Sequence, residues 1–150
     1  MKRSVFPTVL FCLVVTSNAS PLAITTSKLN CAFTDHCTLT IRNLIKADPI
    51  VVHVRSGDDD LKNSTLKPGG GKSWQFCMNV PRTTLYRAKF YWKSKTAAFD
   101  VYNKKLSGKY CPKLGAWEAI FQCVWLVKED GFYVHGEGGN PHPPKLHDWA

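Results

Sequence analysis

The ten residues TTLYRAKFYW, positions 83–92, alternate with a period of two. Tyr86, Ala88, Phe90 and Trp92 fall on one side, and Leu85, Arg87, Lys89 and Tyr91 on the other. Successive side chains of an extended chain point to opposite faces, so this stretch is a strand with one face in a core and one in water.

The pattern recurs in both directions from there. CTLTIRNLI (37–45) puts Leu39 and Ile41 together, and PIVVHVR (49–55) aligns Ile50, Val52 and Val54 against His53 and Arg55. KSWQFCM (72–78) aligns Trp74, Phe76 and Met78, and AFDVYN (98–103) aligns Phe99 and Val101. IFQCVWLV (120–127) aligns Phe121, Cys123, Trp125 and Val127, and GFYVH (131–135) aligns Phe132 and Val134. Seven such segments with turn residues between them predict an all-β fold, an antiparallel sandwich of about seven strands. No long stretch has a period of 3.6, and CPKLGAWEAIF (111–121) holds a helical turn at most.

At 150 residues the chain is one domain, and 44% hydrophobic residues are enough for a packed core, which excludes disorder. The start, MKRSVFPTVLFCLVVTSNASPLA, has the order of a secretory signal: Lys2 and Arg3, an apolar run, then small polar residues. That run is too short to cross a bilayer, which takes about 20 apolar residues, and no later segment is apolar for longer, so membrane insertion is not expected. Cleavage after Ala19 is the first choice and after Ala23 the second. The expected organisation is a signal peptide at 1–19, an N-terminal arm at 20–36, the sandwich at 37–135, and a Gly/Pro-rich flexible tail at 136–150.

Without Lys2 and Arg3 the chain keeps 18 basic against 11 acidic residues, a net charge of +7. Positive charge favours acidic partners: pectin-like wall polymers, anionic lipid, or an acidic receptor loop. Nucleic acid is not expected, since no zinc-finger spacing or basic helix is present. Cys12 leaves with the signal, so Cys31, Cys37, Cys77, Cys111 and Cys123 form an odd disulfide framework with one thiol over.

Against this basic background, Asp58, Asp59 and Asp60 stand side by side after the second strand, followed by Asn63-Ser64-Thr65. Consecutive acids point apart on an extended chain and lack the alternate spacing of a calcium loop, so no metal site is expected. The simplest reading is a solvent-held turn in which Asp58 or Asp60 accepts hydrogen bonds from turn amides. Asn63 begins a glycosylation triplet, useful only at the surface of an exported chain.

No nucleophile elbow, HExxH or phosphate loop appears, and no cofactor motif. His36, His53, His135, His142 and His147 sit in no stretch that looks rigidly held, so no catalytic residues and no enzyme are expected.

HVRSGDDDL, WQF, TTLYRAKFYW, FDVYNKK and CVWLVKEDGFYV stand in the order and spacing of the plant self-incompatibility S-protein homologues, from Thr38 to Val134. The resemblance implies a small secreted β-sandwich that acts as a non-enzymatic recognition ligand on a cell-surface receptor protein; it leaves oligomeric state open. Candidate receptor contacts are Arg55, Asp58, Asp59, Asp60, Lys62 and Lys67 around the first loop, and Lys93, Lys95, Lys104 and Lys105 around later turns. Loops carry such roles because they vary without disturbing the core. A second reading is a cationic defence protein that binds membranes or wall polysaccharide.

The chain departs from the family pattern at two cysteines, with Val54 and Ala88 in their places. Both have inward parity, so an apolar pair stands where the family has a bridge. The resemblance implies a second bridge, Cys111 with Cys123. Cys77 has outward parity and Cys37 inward, which gives Cys31 to Cys77 and leaves Cys37 as a small buried hydrophobe.

Overall fold

The computed structural model describes residues 31–115, 120–135 and 141–150. The expected signal segment 1–19 and the arm up to residue 30 lie outside the described residues.

Ten strands and one helix are present among the described residues. They are β1 (His36–Asn43), β2 (Ile50–Arg55), β3 (Asp60–Leu66), β4 (Gly71–Cys77), β5 (Tyr86–Trp92), β6 (Lys95–Tyr102), α1 (Lys104–Tyr110), β7 (Lys113–Leu114), β8 (Ile120–Lys128), β9 (Gly131–His135) and β10 (Lys145–His147). One sheet, A, has the order β10-β9-β8-β1-β4, with β7 also paired to β8; the other, B, has the order β3-β2-β5-β6.

Period-two patterning places the core between the sheets. Leu39, Ile41, Trp125, Val127, Phe132 and Val134 of sheet A are shut from solvent, as are Val52, Val54, Ala88 and Phe90 of sheet B. Rings bridge the layers: Phe90 to Phe132 with centroids 4.7 Å apart, and Phe99 to Trp125 at 5.0 Å. The Trp125 indole donates to the Val101 carbonyl at 2.8 Å, so its one polar atom is satisfied inside the core. Buried Asn43 is satisfied too: its amide donates to the Asp48 and Leu66 carbonyls, and its oxygen accepts from the Ile45 N–H.

Two disulfides tie the layers' margins. Cys31 joins Cys77 with Cα atoms 5.4 Å apart, and Cys111 joins Cys123 at 4.7 Å. Cys37 is free and buried, its Sγ 2.9 Å from the Tyr102 hydroxyl, and burial pushes its thiol up to about 11.

The fold differs from the sequence expectation in four places. The sandwich is antiparallel except at its centre, where β1 and β8 run parallel. Parallel pairing suits β8, since Gln122, Val124 and Leu126 on its other face are only partly exposed. The segment after the acid run is not loop but the edge strand β3, with Ser64 and Leu66 buried and Leu61 partly so. FDVYNKK runs into helix α1, where Asn103 caps the start by accepting from the Leu106 N–H at 2.8 Å.

The fourth is the tail. Residues 145–147 pair with β9 as β10, Trp149 packs on Trp92 and Phe132, and Ala150 exchanges two backbone hydrogen bonds with Thr96. His147 stacks on Phe99 with centroids 3.9 Å apart, and the Trp149 indole donates to the Lys128 carbonyl. Aromatic rings at alternate positions hold the end of a segment whose glycines and prolines suggest flexibility. Gly131 makes room for it: at φ +141° a side chain is strained, and a Cβ would collide with the His147 carbonyl. Residues 145–150 therefore pack as part of the sandwich, beyond the boundary expected at 135.

Candidate recognition surface

The acid run is built as a pinned turn. Ser56 sets it, donating its N–H to the Asp59 carbonyl at 2.8 Å and accepting from the Asp58 and Asp59 amides on its hydroxyl. The three aspartates then take different duties. Asp58 is exposed. Asp59 accepts from the Tyr86 hydroxyl at 3.1 Å. Burial, and then that bond to a carboxylate, push the Tyr86 phenol up to about 12.

Asp60 opens β3 and holds the bulge that follows. Its carboxylate lies 2.7 Å from His53 Nε2 and accepts from the Lys62 N–H at 2.9 Å, with the Lys62 ammonium at 3.5 Å. The His53 hydrogen bond, followed by the Lys62 amide, holds the carboxyl at about 2. Lys62 takes φ +61°, a left-handed conformation that this local bonding stabilises. Asp60 thus accepts from an amide at the start of β3 rather than from one within the turn, and Asp58 gives only its own N–H to Ser56.

Register places the turn at one end of sheet B. Arg55 pairs with Asp60 on one side and with Arg87 on the other, and Arg87 pairs with Asp100. These four form a charged row across all four strands on the sheet's outer face, with Arg87 Nε 3.6 Å from Asp100 Oδ1. The next row holds Asn63, His53 and Lys89. Asn63 is exposed there, on an edge strand rather than in a loop.

The four later lysines do not form one patch. Lys93 and Lys95 flank the β5–β6 turn, whereas Lys104 and Lys105 lie beyond the far end of β6, in the first turn of α1 rather than in a loop. Lys95 opens the eight-residue β6 and Lys104 lies just past its far end, roughly 25 Å away at the usual rise. Lys104 and Lys105 therefore belong with Arg55, Arg87 and the acid turn. At the opposite end, Lys93 bonds Asp48 at 2.8 Å, and the Lys93 and Lys95 ammoniums lie 5.6 and 5.0 Å from the Trp92 ring. Hydrogen bonds from Lys93 and then the Trp92 indole lower the Asp48 carboxyl. Lys67, just after β3, also sits at this end of the sheet.

Sequence reasoning missed Arg87 and Asp100 as site residues. Their outward parity was readable, but the register that lines them up with Arg55 was not.

Among the described residues no group of three or more His, Cys, Asp or Glu side chains could hold a metal ion, and no helix is long and apolar enough to cross a membrane.

A family model described as plant self-incompatibility protein S1 matches residues 38–149. S-protein homolog 6 of Arabidopsis thaliana is 33% identical over 93 residues, covering 61% of this chain and 62% of that protein. Self-incompatibility protein S1 of Papaver rhoeas is 29% identical over 84 residues, 56% of each chain. The chain therefore spans less than two thirds of the length of these relatives. A solved self-incompatibility protein homologue, from a family described as small, highly stable, secreted plant proteins, superposes with a TM-score of 0.57 at 16% identity. It covers 78% of this chain and 96% of its own, and it shows the same fold. With the model match extending across the sandwich and on to residue 149, the chain belongs to the plant self-incompatibility protein S1 family.

Proposed function

We propose that the protein is a secreted, non-enzymatic recognition ligand that binds a cell-surface receptor through hydrophilic turns on its sandwich. One observation carries this reading: the acid turn and the Asp60–Arg55–Arg87–Asp100 row present charges on a rigid sheet face, while Phe90, Phe99, Trp125 and Phe132 point into the core. Preorganised polar groups on a rigid scaffold lose little entropy on binding. Family membership supports secretion, and two disulfides suit an oxidising compartment.

The second reading, a cationic protein for membranes or wall polysaccharide, draws on the Lys93–Trp92–Lys95 cluster. Liposome leakage separates the two, since a ligand causes none.

The test reverses the lysines in two separate pairs, Lys93 with Lys95 and Lys104 with Lys105, and measures association with responsive cells. Reversal at the binding end slows association and leaves the circular dichroism unchanged, and added salt weakens wild-type binding in the same direction. Unchanged binding in both variants, with loss in folded Asp58→Ala, Asp60→Ala protein, would assign recognition to the acids instead.

A further inference from the structure

Strand β6 has a flank that no strand of sheet B covers. At its start, Thr96 exchanges both backbone hydrogen bonds with Ala150, at 3.0 and 2.9 Å, so its N–H and C=O point away from β5. Backbone direction alternates along an antiparallel strand, so the N–H and C=O of Ala98 and Asp100 point the same way. Among the described residues no backbone partner meets them.

Beside this stretch opens a groove of about 610 Å³, within the range of ligand sites. Its far wall is α1, which presents Lys105 and Lys109 one turn apart on a single face. Arg87 reaches it from β5, and His147, stacked flat on Phe99, closes the side nearest the tail. Burial lowers the His147 imidazole, so the ring is neutral near pH 7. Three fixed cations thus face one carboxylate, Asp100, which already lies beside Arg87.

We propose that this groove takes an extended acidic peptide segment of the partner, its carboxylates on Arg87, Lys105 and Lys109 and its main chain against the open edge at Ala98 and Asp100. The proposal rests on the recognition reading above and names the chemistry of the partner. An anionic sugar chain would meet the cations but would leave the strand edge unused. Pairing with an exposed edge is how extended peptides commonly add to a sheet, with pockets beside it to read side chains.

The experiment titrates ¹⁵N-labelled protein with a capped ten-residue peptide bearing four aspartates, with its asparagine counterpart, and with trigalacturonate. The aspartate peptide shifts the amides of Ala98, Asp100, Lys105 and Lys109 and slows hydrogen exchange at Ala98 and Asp100; the asparagine peptide does neither. Arg87→Gln with Lys109→Glu, both surface changes, weakens the peptide about tenfold. Shifts centred on Lys93 and Lys95, unchanged affinity in the double variant, or trigalacturonate binding tighter than the peptide would each overturn the proposal. Cell binding keeps the two readings apart. A double variant that binds responsive cells as wild type does overturns the groove alone, whereas wild-type protein that binds no cell overturns the receptor reading and leaves the titration to judge the groove.

Discussion

Val54 and Ala88 are direct partners across β2 and β5, and both are fully buried. Replacing both with cysteine restores a bridge where the family pattern has one. The geometry follows from the ladder. Thr96 points away from β5, so its pair with Tyr91 carries no hydrogen bonds, and counting along β5 and across to β2 makes Val54–Ala88 a non-hydrogen-bonded pair as well. Such pairs bring Cα atoms to about 4.5 Å, inside the range a disulfide accepts. The closed loop spans 35 residues, for which loss of unfolded-chain entropy is worth about 4 kcal/mol. Trimming a buried Val54 side chain costs about 1 kcal/mol, which leaves a net gain of about 3 kcal/mol. With about 110 described residues and the usual unfolding entropy, the melting midpoint rises by roughly 10–15 °C. The assay is thermal unfolding by circular dichroism beside a thiol count in denaturant. Oxidised double variant shows one thiol, Cys37, and loses its added stability on reduction. Three thiols after oxidising refolding would refute the opposition of these two positions, and a formed bridge with no rise would refute the entropy reasoning.

Asp60 supplies a pH test: its folded value of about 2 lies below the ordinary 3.8, so its stabilising effect is present above the latter and lost as pH falls toward the former. Melting of the wild type should therefore drop more steeply between about pH 4 and pH 2 than that of Asp60→Asn; parallel curves would count against the His53 contact. Trp149→Ala should cost about 2 kcal/mol, since the half-buried ring packs on Trp92 and Phe132, and it should speed amide exchange at Thr96; an unchanged midpoint would mean the tail does not hold the sheets together. Expressed in a eukaryotic secretory host, the chain should reach the medium beginning after Ala19 or Ala23, and Asn63→Gln should abolish a glycosidase-sensitive mass shift; an intact N-terminus retained in the cell would refute export.

How much of this was legible in the sequence depended on how far each element announces itself by period. Seven strands show the alternation because each buries at least two apolar residues on one face. Strand β3 does not, since DLKNSTL buries only Ser64 and Leu66 fully, and the bulge after Asp60 takes Leu61 out of their alternation. Helix α1 spans seven residues, under two turns, too short for a 3.6 period to show; Asn103 at its cap was the available signal. The tail misled because its glycines and prolines outnumber the rings that anchor it. Parallel pairing of β1 and β8 had a faint trace in FQCVWLV, whose near-continuous apolar run marks a strand covered on both faces. Of the site, the charged residues were visible singly, but their grouping depends on register, which single-strand parity does not set.

The parallel pair in the middle of sheet A also sets the order in which a new chain can complete itself. Seventy-six residues separate the end of β1 from the start of β8, roughly 4–15 s of synthesis at ribosomal rates. During that interval β4 can cover one side of β1 and the Cys31–Cys77 bond can close, but the other side of β1 has no strand to receive. A chain halted before Ile120 offers that unpaired edge, with Cys37, Leu39 and Ile41 beneath it, to whatever strand is nearest. The strand that fits that edge in register is β8, so exchange of β8 between two copies is the misassembly this topology favours.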